Sequence, residues 1–578
     1  MSYRPSYEAI SASAPSPFDL ACSQKLHRFM AEASPQISQE EQLHRMNIIA
    51  TLTAIFEDWV RSVCLSQGLP PDVAEAAGGK VFTSGSYRLG FNEKGMDLDI
   101  CCVAPKQVSR IDFFDSLKAI LEDHDSVENL TSIESAAVPM IAFEFDGVDI
   151  DLLFATLPLD SVPREWDIND DNVLRGVDVG TEKTLNGPRV TNLIEKLVPN
   201  FESFVSLVRC VRYWAKRRGL YANKMGYLGG VNWNILSAFI CQLYPNAAPA
   251  LLLERFFFIL RDWKWPTPIL LTPQYDAGLG FESWEPSVGN NRFHTMPILT
   301  PAYPSMNSSV AVSRQSLDVM QEEMASALER VRASLARDGE GWEDVFSPSD
   351  FAVAHSRYLA AEIYVTNVPD HLVTSHFNSW SGYVESRLRR LIEYLSYLPV
   401  CRLRLLPQKQ PLLTVTDAQG GEGLAYLIGF DVDKDRLQGG ELHLTNKVEQ
   451  FKVELYQGAT RSGIVNEEIN HRHLRVKIVD FASYRQLPDA CFKSLGGREA
   501  AKAAHKRLKA AKKAADAAAG LTADPSQQSE AVDGVASGTK RAAQDDTSGD
   551  AEAAKVARTN VPLQKEQSMG DGEIIDGV

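Results

Sequence analysis

Two short acidic strands constrain this chain more than any other feature. In AFEFDGVDIDLLF, from Ala142 to Phe154, two alternating runs flank Asp146-Gly147, a dipeptide that favours a two-residue hairpin turn. A strand period of two puts Asp149 and Asp151 on one face, with Ile150 and Leu152 on the other. Earlier in the chain, KGMDLDI repeats the device: Asp97 and Asp99 alternate with Leu98 and Ile100. Ahead of that strand, Val81 to Thr83 runs into a Gly85-Ser86 pair. A turn with no side chain at Gly85 lets a polyphosphate approach the backbone amides, and the Ser86 hydroxyl can donate to it.

An Asp-x-Asp strand on its own is most often a solvated sheet edge. Three carboxylates on adjacent strands, preceded by a Gly-Ser turn, have a further use. Two divalent cations need oxygen ligands and leave positions open for a triphosphate and an attacking hydroxyl. The combination resembles the nucleotidyltransferase pattern of the DNA polymerase beta superfamily.

The chain of 578 residues has room for two to four domains, and its 44% apolar content can fill their cores. Its eight cysteines form no CxxC pair, so neither a zinc site nor a disulfide framework is indicated, and a reducing compartment is expected. The first residues, MSYRPSYEAISASAPSP, contain no apolar core of a signal peptide, and Phe256 to Leu260 is too short to span a bilayer. A soluble, unexported protein with no membrane partner is expected. The net charge of −16 argues against a uniformly basic nucleic-acid binder, yet acid at the site and in the tail can mask local basic grooves.

A capping box at Ser38 and Glu41 opens a predicted helix whose stripe runs Leu43, Met46, Ile49, Leu52, Phe56, Val60, Val63, ended by Pro70-Pro71. A helix is expected near Ile111 to Asp123. Pro158 to Pro188 reads as an irregular acidic connector. Helical period returns over 191–218, where Arg209, Arg212 and Lys216 share a side that is either solvated surface or a phosphate-facing wall. Gly229-Gly230 suggests close backbone approach at a helix start. The proline-rich segment His294 to Ser308 should be an ordered loop. Helices follow from about Ser316 to Ala336 and on to about Leu398. Strand-like composition marks 401–405, 411–416, 425–430 and 473–481, with a helix at Val448 to Tyr456. No aromatic-rich RNA-binding string appears. Beyond Phe492 there is no aromatic residue, so no core is expected there. Lys502, Lys506, Lys509 and Lys513 fall on one side of an alanine-rich helix, suited to phosphates or to solvent. Lys540-Arg541 and Lys555 to Arg558 resemble a split nuclear-import signal.

The strings FTSGSYRLG, KGMDLDI, GVDIDLLFATL, LNGPRVTN, YANKMGYLGGVNW, CQLYPNA, WKWPTPILL, HTMPILTPAYPSMNS and WSGYVESRLRRLI are similar, in the same order, to the nuclear eukaryotic poly(A) polymerases. That resemblance implies an α+β protein: a beta-polymerase-like palm, a helical middle domain, an RNA-recognition-motif-like C-terminal domain and a disordered tail. The expected divisions are a mobile N-terminus at 1–17, helices packing with the middle domain at 18–66, and the palm at 67–190. The middle domain follows at 191–350, the RNA-binding C-terminal domain at 351–497, and a basic, then low-complexity tail at 498–578. It implies an enzyme that adds AMP from ATP to RNA 3′ ends, pre-mRNA among them, using two Mg²⁺ or Mn²⁺ ions. Asp97, Asp99 and Asp151 would hold the metals, and Gly85 and Ser86 the phosphates. Arg212, Tyr221 and Asn223 would contact ATP, with Gly229, Gly230 and Val231 beside the adenine. Nuclear residence and subunits of a cleavage and polyadenylation complex as partners are implied as well.

The chain departs from the family pattern at Ser84 and Ala137, where aromatic residues are usual, at Ala142, where a lysine is usual, and at Arg212, also a lysine position. A terminal uridylyltransferase or CCA-adding enzyme is the alternative within the superfamily, since a metal site does not read the base. A catalytically weak RNA-binding subunit is the alternative outside it. Against the latter stands the triad itself, because three facing carboxylates without a metal would repel.

Overall fold

The computed structural model describes residues 4–134, 136, 138–163, 165–366, 368–412, 422–464, 472–479 and 487–521. Ala137, 413–421 and 522–578, the last with both basic clusters, lie outside them.

Two N-terminal helices, α1 (Pro17–Ala33) and α2 (Gln39–Ser66), begin at Ser16 and Ser38, whose hydroxyls accept from backbone amides of the first turn. The acidic strands then enter a five-stranded sheet of β1 (Lys80–Thr83), β2 (Leu98–Ala104), β3 (Val127–Ile133), β4 (Met140–Phe145) and β5 (Val148–Thr156). Its order is β1-β2-β5-β4-β3. Asp146 and Gly147 both take positive φ, as the tight turn between β4 and β5 requires. β2 and β5 pair in parallel, with Asp99 opposite Asp151.

The apolar rows of these strands decide where α2 goes. Leu98, Ile100, Cys102, Ile150, Leu152 and Phe154 share one face, and α2 covers it with Ile48, Leu52, Phe56, Trp59, Val60 and Val63. This corrects the expectation that both N-terminal helices pack with the middle domain: only α1 does so, through Cys22, Leu26 and Met30. Burying the back of a sheet whose front carries carboxylates needs one amphipathic helix, and α2 is it. Leu43 and Met46, expected in its stripe, are exposed.

Helix α3 (Val179–Leu197) replaces the second half of the expected connector and runs through Pro188. The missing amide costs one helical bond, but burial of Leu185, Val190, Leu193 and Ile194 outweighs it. α4 (Phe201–Arg218), α5 (Gly230–Leu243), α6 (Pro249–Arg261) and α7 (Arg314–Leu335) share with α1 and α3 one large core around Trp214, Trp233 and Phe257. The proline-rich segment is ordered, with Ile298 bridged to Ile269 and Leu299 to Asn307.

A second sheet has the order β7-β8-β6-β9, from β6 (Arg357–Val365), β7 (Val400–Gln410), β8 (Gly423–Val432) and β9 (Arg472–Val479). One face packs on α8 (Asp370–Glu385), α9 (Leu388–Ser396) and α10 (Thr445–Arg461). Tyr358, Ala360 and Leu427 on the other are covered by Phe351, Phe492 and Ala501, the last from α11 (Arg498–Leu521). The first turns of α11, expected as part of a tail, pack on this core, because Ala501, Ala504 and Leu508 form an apolar side against the sheet. Strand β6 has no mark in the sequence pattern, because its buried glutamate, Glu362, interrupts an otherwise apolar run.

Candidate active site

The face of the five-stranded sheet opposite α2 carries Asp99 on β2, Asp97 just before it and Asp151 on β5. Each offers a carboxylate oxygen within 4.8 Å of the others. Burial raises Asp99 to about 7, helped by the negative charges of Asp97 and Asp151 and opposed by Arg212. Burial also raises Asp151, with Asp97 and Asp149 adding to it and Lys224 opposing. A group of hard oxygen donors whose charges oppose one another suits a divalent cation, which would relieve that repulsion.

The loops around the triad are tied to the sheet. Arg45 of α2, buried, donates to the Met96 carbonyl at 2.7 Å, immediately before Asp97. The Ser84 amide donates to the Asp99 carbonyl at 3.0 Å and the Gly85 amide to Thr191 Oγ1 of α3 at 3.1 Å. Gly85 sits at φ 61°, and a β-carbon there would overlap the Asp99 carboxylate. Only glycine lets this turn lie against the strand that carries Asp99.

The turn opens on a cleft of about 570 Å³ between the sheet and helices α3, α4 and α5. Arg212, 3% exposed, crosses it and donates to Ser86 Oγ at 2.8 Å. Tyr221 lies between two cations, 5.6 Å from Arg212 and 5.5 Å from Lys216. Lys216 is held at 2.8 Å by the buried Glu93. The basic side of α4 is thus a wall of the cleft at Arg212 and Lys216, while Arg209 is spent on the Ser34 carbonyl. A β-carbon at Gly230 would press within 2.7 Å of the Tyr221 hydroxyl.

Gly85, Ser86, Asp97, Asp99, Arg212, Tyr221, Gly230 and Val231 all border the cleft. Gly229 and Asn223 do not. They pack on each other behind the rim, and the Gly229 amide is capped by Asn232 at 2.9 Å. Lys183, Asn186, Thr191, Asn234 and Thr300 border it too, and the sequence reading does not single them out. Two of them carry orphaned buried oxygens, Asn186 Oδ1 and Asn234 Oδ1. Lys183 lies in the stretch read as connector. Asn234 is in principle legible, one helical turn after Gly230.

The departures fall where they matter. Ala142 lies opposite Asp151 in the β4–β5 register, so its side chain shares the carboxylate face. Ser84 is buried beneath the turn. Lys94 is exposed and does not border the cleft.

Among known families, the poly(A) polymerase nucleotidyltransferase domain matches residues 7–198 and the poly(A) polymerase central domain residues 203–348. Nuclear poly(A) polymerase 1 of Arabidopsis thaliana is 40% identical over 386 residues, covering 66% of this chain and 53% of the relative. The poly(A) polymerase of Dictyostelium discoideum is 36% identical over 511 residues, covering 86% of this chain and 60% of the relative. The chain thus spans little more than half the length of these relatives. A solved structure of Cid1, an RNA terminal uridylyl transferase, aligns with 57% of this chain and 98% of its own at 14% identity and a TM-score of 0.36, too loose to bear on function.

Proposed function

The chain belongs to the poly(A) polymerase family, and from that membership we propose that it is a template-independent polynucleotide adenylyltransferase. The RNA 3′-hydroxyl oxygen attacks the α-phosphorus of ATP, the bond to the β-phosphate oxygen breaks, and pyrophosphate leaves. The observation that carries this is the triad, two of whose members, Asp97 and Asp99, border a cleft with cationic and apolar walls, in a chain matched over residues 7–198 and 203–348 by poly(A) polymerase domains.

Asp97 and Asp99 would hold both of two Mg²⁺ or Mn²⁺ ions, and Asp151 one of them. Such ions lower the pKa of the 3′-hydroxyl and neutralise charge on the triphosphate and leaving group. The chain's own residues do the rest. Ser86 Oγ accepts from Arg212, which leaves its own proton to donate to a phosphate oxygen. Arg212 and Lys216, already positioned by Ser86 and Glu93, face the triphosphate without further ordering. Tyr221, with Val190 and Val231, gives the base and ribose an apolar wall. Lys183 adds a cation on the α3 side. Asn223 and Gly229, behind the rim, shape that wall rather than touch the nucleotide.

By extension from the relatives named nuclear, residence is nuclear and the partners are RNA 3′ ends and subunits of a cleavage and polyadenylation complex. The C-terminal sheet with its helices is taken as an RNA-recognition-motif-like unit. Incubating the protein with a labelled oligoribonucleotide, Mg²⁺ or Mn²⁺ and each NTP separately tests the assignment. A ladder with ATP alone is expected. A ladder built preferentially with UTP or CTP, or RNA binding with no extension by any NTP, would overturn it.

A further inference from the structure

A sheet that binds RNA by stacking needs an open face. Here Tyr358, Ala360 and Leu427, fully buried, lie under Phe351, Phe492 and α11, while the opposite face lies under α8, α9 and α10. Among the described residues, neither sheet face of the C-terminal unit is open to stack on RNA.

Between α9 and α10 the helices leave a cleft of about 230 Å³, floored by Tyr383, Phe451 and Leu455 and rimmed by Arg387, Arg390 and Arg461. α10 approaches closely because residue 458 is glycine, where a β-carbon would meet the Tyr383 hydroxyl at 2.5 Å. The Arg387 guanidinium lies 3.5 Å from the centroid of the Tyr383 ring, and its Nη1 donates to Ser386 Oγ at 2.7 Å and the Tyr383 carbonyl at 3.1 Å. Its other donors have no acceptor among the described residues. Arg461 is exposed and has no carboxylate partner among them. The one acid at the rim, Glu454, is paired with Arg390 at 2.8 Å and accepts from the Tyr394 hydroxyl at 2.6 Å.

We propose that this cleft binds a backbone phosphate of the RNA upstream of its 3′ end. The inference rests on the polymerase reading for the identity of the RNA. A pre-stacked guanidinium with an open edge can pair with two phosphate oxygens at once. The helix beside the cleft, α9, also packs against residues 223–225 at the edge of the active site. Arg389 Cβ lies 3.7 Å from where a β-carbon of Gly226 would stand, two residues beyond Lys224, whose charge acts on Asp151. An RNA strand leaving the triad past Lys224 would meet this helix.

The test compares parent, Arg387→Gln, Arg461→Gln and the double variant on oligo(A) primers of about three and about fifteen nucleotides, in extension and in filter binding without ATP. The double variant should raise KM for the long primer about tenfold, leave the short primer and ATP unaffected, and lower the salt slope of long-primer binding by about 0.7 for each phosphate no longer neutralised. Exposed Arg461 keeps the test valid if Arg387→Gln proves unstable. Equal effects on both primers, unchanged long-primer binding, or a parent cleft that holds a polyglutamate peptide as tightly as the long primer would overturn the proposal. A parent that extends no primer would sink the polymerase reading instead, while filter binding still decides the cleft.

Discussion

Asp99 shows how much depends on single positions. Its carboxyl is raised to about 7 from an ordinary 3.8, chiefly by burial and then by Asp97 and Asp151. The folded protein thus binds this proton more tightly than the unfolded chain, so metal-free stability falls as pH rises from 3.8 toward about 7. Asp99→Asn should accordingly melt higher than the parent at pH 8 without metal and about equally at pH 4, while nucleotide addition drops to background. Equal melting at both pH values would show that the fold does not hold Asp99 above its ordinary value, and retained activity would remove Asp99 from the metal site. The same titration makes metal binding compete with protons, so the apparent affinity for Mn²⁺ should rise with pH through about 7, measurable by calorimetry. Gly85→Ala tests the opposite partner. Its β-carbon would displace the Asp99 carboxylate and would need a left-handed backbone, so kcat should fall by about a hundredfold with the fold intact by circular dichroism. The triad and turn are legible in the sequence because alternation and a Gly-Ser pair are local signals. Lys183 and Thr300 are not, because they reach the cleft from elements whose meeting is tertiary.

Among the elements, the hairpin and α2 follow from period alone, whereas α3 and α11 contradict their local signals. Pro188 suggests the end of a connector, yet it sits inside α3, whose buried side holds the helix together. The alanine-rich run after Arg498 reads as tail by composition, and only the uncovered sheet face explains why Ala501 and Leu508 are packed while Lys502, Lys506, Lys509 and Lys513 face outward. Thermal melts separate the two sides of that helix. Ala501→Glu should destabilise by about 2 kcal/mol or more, since it buries a charge against Phe492 and Tyr358. Lys509→Gln should stay within about 0.5 kcal/mol of the parent. If both substitutions were silent, α11 would not be part of the C-terminal core. The stripe's lysines can then be neutralised together without touching the fold, and an unchanged salt dependence of RNA binding would leave them as solvated surface.

At the scale of the molecule, the cleft lies between the sheet and the helical core, and two side-chain bonds cross it: Arg212 to Ser86 and Lys216 to Glu93. The family resemblance supplies the order of these parts and the unusual alanine at 142, but not that Ala142 stands opposite Asp151, which needs the register of β4 on β5. A lysine at that position would donate a charge-assisted bond to the nucleotide, a contribution of about 1.5 to 3 kcal/mol. Two nearby cations could take over that bond: Lys94, in the turn before β2, does not border the cleft, whereas Arg212 crosses it from the opposite wall. Arg212→Ala should therefore raise the ATP KM in the parent by roughly ten- to a hundredfold, at about 1.4 kcal/mol per decade. In an Ala142→Lys background the same substitution should be much milder, because the restored ammonium faces the same triphosphate. kcat/KM for ATP in the four proteins gives the coupling directly, and compensation predicts a value above about 1 kcal/mol. Additivity within about 0.5 kcal/mol would refute it and turn attention to Lys183 and Lys216, the other cations bordering the cleft. An Ala142→Lys protein with unchanged KM and an undiminished requirement for Arg212 would mean that the strand position, although on the metal face, stops short of the triphosphate.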